Sequence, residues 1–235
     1  MTGNKKKEIQ RKSAHLEGLR AAKAKRGIEP VFERSAPTRE EKQTILIVCE
    51  GENTEPSYFN QFRLTSATIK AIGNGYNTVS LVQQATKLQA KYKCDQVWCV
   101  FDKDSNSPQN FNSAIDLAQS LSYGLAWSNQ AFEYWFILHF EDHQGGAMNR
   151  DDYNDKINKY INPLGAVYDG ESNKLVSVKF FNLLCGGDPV TGNSRTALAI
   201  ARARRNLTFH NLANPATAES STTVFMLVEE ILKYL

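Results

Sequence analysis

Glu50, Asp102 and Asp104 are the residues of this 235-residue chain best placed to do chemistry. Each follows an apolar run: Glu50 ends Thr44–Cys49 (TILIVC), and Asp102-Lys103-Asp104 closes Gln96–Phe101 (QVWCVF). Such runs read as buried strands of a parallel sheet, and open α/β sheets take their ligands at the carboxyl ends of strands. Gly51 suits the sharp turn after Glu50. Asp102 and Asp104, two residues apart, can turn both carboxylates toward one point while Lys103 points away, and Glu50 adds a third from a neighbouring strand. Three hard oxygen donors without His or Cys select Mg²⁺ or Mn²⁺ over zinc. Carboxylates this close repel one another, so they imply a cation or a raised pKa. A cation held there activates water and stabilises charge on a phosphodiester during in-line displacement, and a Glu50 of raised pKa could also move protons. Glu55 and Glu133 are outer candidates for a second metal, and Gly51, Asn53, Thr54, Ser128 and Asn129 are candidates for the rim. An isolated Asp-x-Asp equally describes a solvated turn whose side chains bond their own backbone. The separate strand ending in an acid favours the metal site.

The elements that must position these residues follow from periodicity. Pro56-Ser57-Tyr58-Phe59 opens a helix to about Leu64, with Thr54 as its cap. Thr68–Ile72 is a short strand, and Gly73–Asn77 reads as an ordinary strand-to-helix loop rather than a phosphate cradle. Thr78–Lys93 and Pro108–Leu121 carry apolar residues at helical spacing. Between and after them lie the Gln96–Phe101 strand and a fourth, Tyr123–Trp127. Ala131–Phe140 (AFEYWFILHF) is so apolar that it predicts a buried helix; Ser128 or Asn129 would cap it, with Glu133 favouring its dipole. Strand and helix alternate four times, which predicts an α/β fold with a parallel sheet and helices on both faces.

Beyond Phe140 the pattern is less regular. Asp151–Ile161 is a candidate helix, and Gly165–Tyr168 with Lys174–Phe181 reads as a hairpin around the DGESN turn. Thr196–Leu207 is a helix bearing Arg202, Arg204 and Arg205. After Pro215, Ser221–Leu235 predicts an amphipathic helix. The expected organisation is a basic arm (1–43), an α/β core (44–140) and a mostly helical extension packing on it (141–235).

Hydrophobic residues make up 41% of the chain and aromatics 10%, enough for a core and against global disorder. The net charge of +3 is unevenly placed: residues 1–43 carry twelve Lys/Arg against six Asp/Glu, the remainder sixteen against nineteen. A basic head on a slightly acidic body suits a polyanion partner such as nucleic acid, although a solvated leader would have the same composition. Lys103, Arg195, Arg202 and Arg205 are the candidates for phosphate contact near the site. His139 and the three tryptophans, Trp98, Trp127 and Trp135, fall in predicted core elements and read as packing. Four cysteines without C-x-x-C spacing read as reduced, buried thiols of a cytoplasmic protein. No apolar h-region opens the chain, and no run approaches the roughly 18–20 residues that span a bilayer.

An acid-glycine turn after the first strand, with Asp-x-Asp after a later one, resembles the Toprim fold of topoisomerases, primases and related nucleases. More narrowly, CEGENTEPSYF (49–59), VWCVFDKDS (97–105), SNQAFEYWFILHF (128–140) and NPATAESSTTVFMLVEEIL (214–232) resemble the RloB-like family, a Toprim-related prokaryotic group. The resemblance implies a Rossmannoid Toprim-like sheet and a role in antiviral defence against phage. There the Toprim protein acts as the toxic nuclease of an abortive-infection system, beside a separately encoded ABC or AAA-type ATPase. By matching motif, Glu50 takes the place of the Toprim acid, and Asp102 and Asp104 that of the metal-binding pair. Further acids usually join a Toprim Asp-x-Asp, whereas Asn106 offers an amide, which leaves one or two metals open. The expected function is a Mg²⁺-dependent nuclease acting on RNA or DNA. The alternatives are a non-catalytic, nucleic-acid-binding or regulatory subunit, or a small-molecule phosphohydrolase. Whether the chain forms a homo-oligomer is left open.

Overall fold

The computed structural model describes residues 3–26, 42–73, 75, 77–104 and 106–235. Two compact units divide the chain, Met1–Glu41 and Lys42–Leu235. The first contains helix α1 (Gly3–Arg26), whose side chains from Lys6 to Ala24 are all exposed, Ile9, Leu16 and Leu19 included. Three apolar residues scattered through a basic helix define no core-facing stripe. The rest of the basic arm, 27–41, lies outside the described residues.

The second unit is built on a five-stranded sheet in the order β2-β1-β3-β4-β5. Strands β1 (Gln43–Cys49), β2 (Ala67–Gly73), β3 (Gln96–Asp102) and β4 (Gly124–Asn129) run parallel, and β5 (Ser221–Thr222) pairs antiparallel to the end of β4. Ile45 to Cys49 are fully buried, as expected of a central strand covered on both faces. Because β2 lies to one side of β1 and β3 to the other, right-handed crossovers place α2 (Thr54–Phe59) on one face of the sheet. They place α3 (Thr78–Tyr92) and α4 (Pro108–Ser120) on the opposite face. Local chemistry starts these helices: Asn77 caps α3 by accepting the Ser80 N–H, and Ser107 caps α4 by accepting that of Asn110, with Pro108 in the first turn.

Helix α5 (Glu133–Phe140) is buried from Tyr134 through His139, as its composition predicts. It meets α2 through an aromatic cluster in which the Tyr58 ring lies edge-on to Phe59, Phe62, Phe132 and Phe181, and Trp135 Nε1 donates to Tyr58 Oη at 3.1 Å. His139 is a core residue: Nδ1 lies 2.9 Å from the Trp135 carbonyl, and burial lowers its pKa to about 3, so the ring is neutral. Trp127 and Trp135 are buried and Trp98 partly so. Cys49, Cys94 and Cys99 are buried thiols, but Cys185 is exposed, contrary to expectation. No helix among the described residues is long and apolar enough to cross a membrane.

The structure corrects several elements. Helix α2 ends at Phe59 rather than Leu64, and Asn53, not Thr54, occupies its cap position, without a side-chain bond. Thr54 Oγ1 instead meets Tyr168 Oη at 3.1 Å. The hairpin at 165–181 does not form. The DGESN turn exists, with the Asp169 carboxylate accepting the N–H groups of Glu171, Ser172 and Asn173, but its flanks find other partners. The Asn158 side chain takes both the N–H and the carbonyl of Tyr168, Ser57 Oγ takes the Val176 N–H, and Ser177 caps a helix, α7, over Val178–Cys185. Helix α6 (Tyr153–Ile161) follows a short 3-10 turn at Arg150–Asp152. Helix α8 spans Arg195–Leu207. The last helix, α9 (Val224–Leu232), starts three residues later than predicted, because Ser221 and Thr222 form β5. Hydroxyl pairing holds it there, with Thr222 Oγ1 2.9 Å from Ser128 Oγ and Thr223 Oγ1 accepting the Trp127 N–H at 2.9 Å.

Candidate functional site

The order β2-β1-β3-β4 reverses direction between β1 and β3, and the crevice at such a switch point is where open α/β sheets bind ligands. Glu50 follows β1 and Asp102 ends β3 on its two sides. The strands hold them in register: the Glu50 N–H donates to the Val100 carbonyl at 2.9 Å, and Glu50 Oε2 accepts the Asp102 N–H at 3.1 Å. A cavity of about 240 Å³ opens there, lined by the 50–55 turn, Asp102, Asp104, Glu133 and two cations, Arg150 and Lys174.

The three acids singled out in the sequence and the two outer candidates all line this cavity, but they are held differently. Asp102 turns inward. Its Oδ2 accepts the Phe132 N–H at 3.1 Å, while Oδ1 is buried without a hydrogen-bond partner. Burial, then the charges of Glu55 and Glu133, and lastly Glu50, raise its pKa far above the usual carboxylate range. Asp104 lines the cavity too, in an ion pair with Arg150, on a backbone whose φ of 28° is rare for a residue with a side chain.

Glu55 is buried on α2, and one oxygen accepts the Gly51 N–H at 3.3 Å. Burial foremost, with the charges of Glu133 and Glu50, raises its pKa to about 7. Gly51 allows this approach: a Cβ there would lie 2.8 Å from the Glu55 carboxyl carbon, and the carboxylate would have to shift. Glu133, at the start of α5, is fixed by Tyr168, whose hydroxyl donates to Oε1 at 2.8 Å. Glu50 is held by Asn106 as well, whose Nδ2 donates to Oε1 at 3.3 Å and to the Asp102 carbonyl at 3.1 Å. Burial raises the pKa of Glu50 too.

The donor chemistry fits a hard divalent cation: carboxylates only, with the proton affinities of Glu50, Glu55 and Asp102 raised and one orphaned buried oxygen on Asp102. The side chains as they stand do not complete a site, since among the described residues no three His, Cys, Asp or Glu groups converge on one metal position. Rotation of Glu50, Glu55 or Glu133 between staggered wells would be needed to bring a third oxygen in.

Of the expected rim, Gly51, Asn53 and Thr54 line the cavity. Ser128 and Asn129 are buried within β4 and face the C-terminal segment, Ser128 toward Thr222 and Asn129 Nδ2 toward the Ala216 carbonyl at 3.1 Å. Neither caps α5. Lys103 folds back on its own loop, donating to the Asn106 carbonyl at 2.5 Å. The arginines offered for phosphate contact are engaged within the protein. Arg195 donates to the Leu183 carbonyl at 3.0 Å and Arg202 to that of Leu138 at 2.8 Å. Arg205 donates to the His143 carbonyl at 2.9 Å and pairs with Asp142 at 2.8 Å. The residues that periodicity missed are Arg150, Tyr168 and Lys174. They come from irregular chain between α5 and α7, where neither spacing nor motif marks them.

A model of the RloB-like protein family matches residues 45–231, most of the chain. No curated protein and no solved structure matches the sequence. The chain belongs to the RloB-like family.

Proposed function

We propose that this RloB-like protein is a Mg²⁺- or Mn²⁺-dependent, Toprim-type nuclease that hydrolyses phosphodiester bonds of RNA or DNA. One observation carries the reading: Asp102 lies buried among Glu50, Glu55 and Glu133 at the switch point of the sheet, with one carboxylate oxygen unpartnered. Buried like charges are costly, and a divalent cation would offset the cost. Glu50 and Asp102 would hold the cation, with Glu55 or Glu133 turning in and Asp104 joining once released from Arg150. A cation bound there supplies Lewis-acid stabilisation of a phosphate oxygen and a more acidic water.

The other roles belong to the protein's own groups. Glu55, if it stays off the cation, is a buried carboxylate beside Glu50 and Glu133 that could accept and return a proton. Tyr168 keeps Glu133 oriented through its hydroxyl. Arg150, at the cavity wall, presents a planar guanidinium suited to bidentate phosphate contact. The α1 helix, basic and exposed, would add sequence-independent affinity for the phosphate backbone. We also propose a cytoplasmic role in antiviral defence with a separately encoded ABC- or AAA-type ATPase; the family resemblance of the motifs supports this part.

The test is hydrolysis of labelled RNA and DNA in Mg²⁺ and Mn²⁺, with and without such an ATPase. A Glu50→Gln/Asp102→Asn protein as active as wild type would sink the proposal. A second reading, a non-catalytic regulatory subunit, is favoured by the absence of three converged metal donors among the described residues. Failure to bind either cation in calorimetry would select it.

A further inference from the structure

Among the described residues, Asp104 is the one acid of the cavity that forms an ion pair, and its partner is Arg150 on the same wall. A single residue holds both backbones. The Gln130 carbonyl accepts the Asp104 N–H at 2.9 Å, and Gln130 Oε1 accepts the Arg150 N–H at 3.2 Å. Asn149 fixes the turn that carries Arg150, its side chain accepting the Asp151 N–H at 3.2 Å. The pair is thus set up by bonds between the end of β4 and the 150–152 turn, and is not a chance meeting of two surface side chains.

While Arg150 holds it, the Asp104 carboxylate is committed to a guanidinium. Burial first, and last the charge of Asp104, raises the proton affinity of Glu50, so Asp104 stands within electrostatic reach of the acids proposed to hold the cation. Both partners are partly open to water, the Arg150 side chain 34% exposed and that of Asp104 42%. An ion pair so exposed is weak and exchanges readily for a better one. The oxygens of a phosphodiester match the guanidinium fork as a carboxylate does, and a divalent cation offers the released carboxylate twice the charge.

We propose that the ion pair of Arg150 with Asp104 is a latch on the metal site that the substrate opens: a backbone phosphate takes Arg150, and Asp104 turns to the cation. Phosphate and cation then bind cooperatively, each favouring the open pair, and by linkage the coupling is reciprocal. Without nucleic acid the protein holds its cation loosely, so the complete site is assembled only on the strand to be cut. The proposal rests on the nuclease reading for the identity of the site; the coupling stands on the ion pair that Gln130 sets up.

The test is calorimetric titration of Mn²⁺ into the full chain, alone and with saturating phosphorothioate RNA or DNA oligonucleotide, which resists hydrolysis. The oligonucleotide should tighten Mn²⁺ binding by wild type about fivefold or more, the lower end for two coupled sites. Arg150→Gln should bind Mn²⁺ that much tighter without oligonucleotide and gain nothing further from it. Lys174→Gln is the control for charge alone, since Lys174 lines the same cavity and forms no ion pair among the described residues. Its gain should be smaller, and in an Asp104→Asn background Arg150→Gln should gain no more than that. Each variant should melt near wild type, because the pair is half-exposed. A gain from Arg150→Gln no larger than that from Lys174→Gln, or one that persists in full with Asp104→Asn, overturns the latch. Mn²⁺-dependent hydrolysis by a wild-type protein whose Mn²⁺ affinity ignores the oligonucleotide overturns the latch and leaves the nuclease reading intact. Full coupling in a protein that hydrolyses nothing does the reverse, and no Mn²⁺ binding by any variant overturns both.

Discussion

Glu50 Oε2 accepts the backbone N–H of Asp102 at 3.1 Å, so the carboxylate that ends β1 is bonded to the strand end that carries the next acid. The two strands thus hold one functional edge through a side chain as well as through their ladder. The bond costs Glu50 one lone pair and leaves its other oxygen to Asn106. Removing the charge at either acid should abolish metal-dependent hydrolysis while leaving the fold.

Glu50→Gln and Asp102→Asn should each lower the hydrolysis rate by about 100-fold or more, the scale seen when a preorganised electrostatic contact is lost. Without metal, Asp102→Asn should melt at or above wild type, because the unpartnered oxygen is replaced and repulsion is relieved; Glu50→Gln, which loses one of the two hydrogen bonds its carboxylate accepts, should melt slightly below. Gel-based cleavage and thermal melts together separate the two effects.

Saturating Mg²⁺ or Mn²⁺ should stabilise the wild-type protein, by about 2.7 kcal/mol when the free ion is 100 times its dissociation constant. The shift should vanish in Glu50→Gln/Asp102→Asn. An equal shift in wild type and double variant would place the cation elsewhere.

Stability of the metal-free protein should carry a pH dependence from Glu55. Burial, followed by Glu133 and Glu50, raises its folded pKa from 4.5 to about 7. Between these values the folded protein binds more protons than the unfolded chain, so stability falls as pH rises from 4.5 through 7, by at most about 1.4 kcal/mol per pH unit. His139, with its pKa lowered to about 3, has the opposite slope over pH 3 to 6.5. The contribution of Glu55 is therefore read as the difference between wild type and Glu55→Gln in urea titrations across that range.

Gly51→Ala should displace the Glu55 carboxylate and destabilise by about 1 kcal/mol, the low end for an added carbon in a packed site, since what it meets is the end of one side chain. The added carbon would fall 2.8 Å from the Glu55 carboxyl carbon. Glu55→Ala should relieve most of that cost, giving a non-additive double-mutant cycle. Additive losses would show that Gly51 is needed for some other reason.

Arg202→Gln should lower stability by about 1–2 kcal/mol through the lost bond to the Leu138 carbonyl near the end of α5. It should leave the salt dependence of nucleic-acid binding unchanged. A shallower salt slope in the variant would restore Arg202 to the phosphate-contacting set.

Much of this protein was legible along the chain. TILIVC and QVWCVF could only be covered strands, alternation with helical spacing required a parallel sheet, and such a sheet places Glu50 and Asp102 at one edge. Those are properties of periodicity and topology, which sequence carries directly. What sequence could not decide was which way each acid turns. Asp104 is two residues from Asp102 and lines the same cavity, yet it pairs with Arg150, while Glu55 and Glu133, from two helices far apart in sequence, set their charges against Asp102. Arg150 and Tyr168 belong to irregular chain whose course is set by bonds such as Asn158 to Tyr168, so no local pattern marks them. The arginines show the same division: composition records a charge, and only the tertiary structure shows that Arg195, Arg202 and Arg205 each donate to a carbonyl of the protein itself.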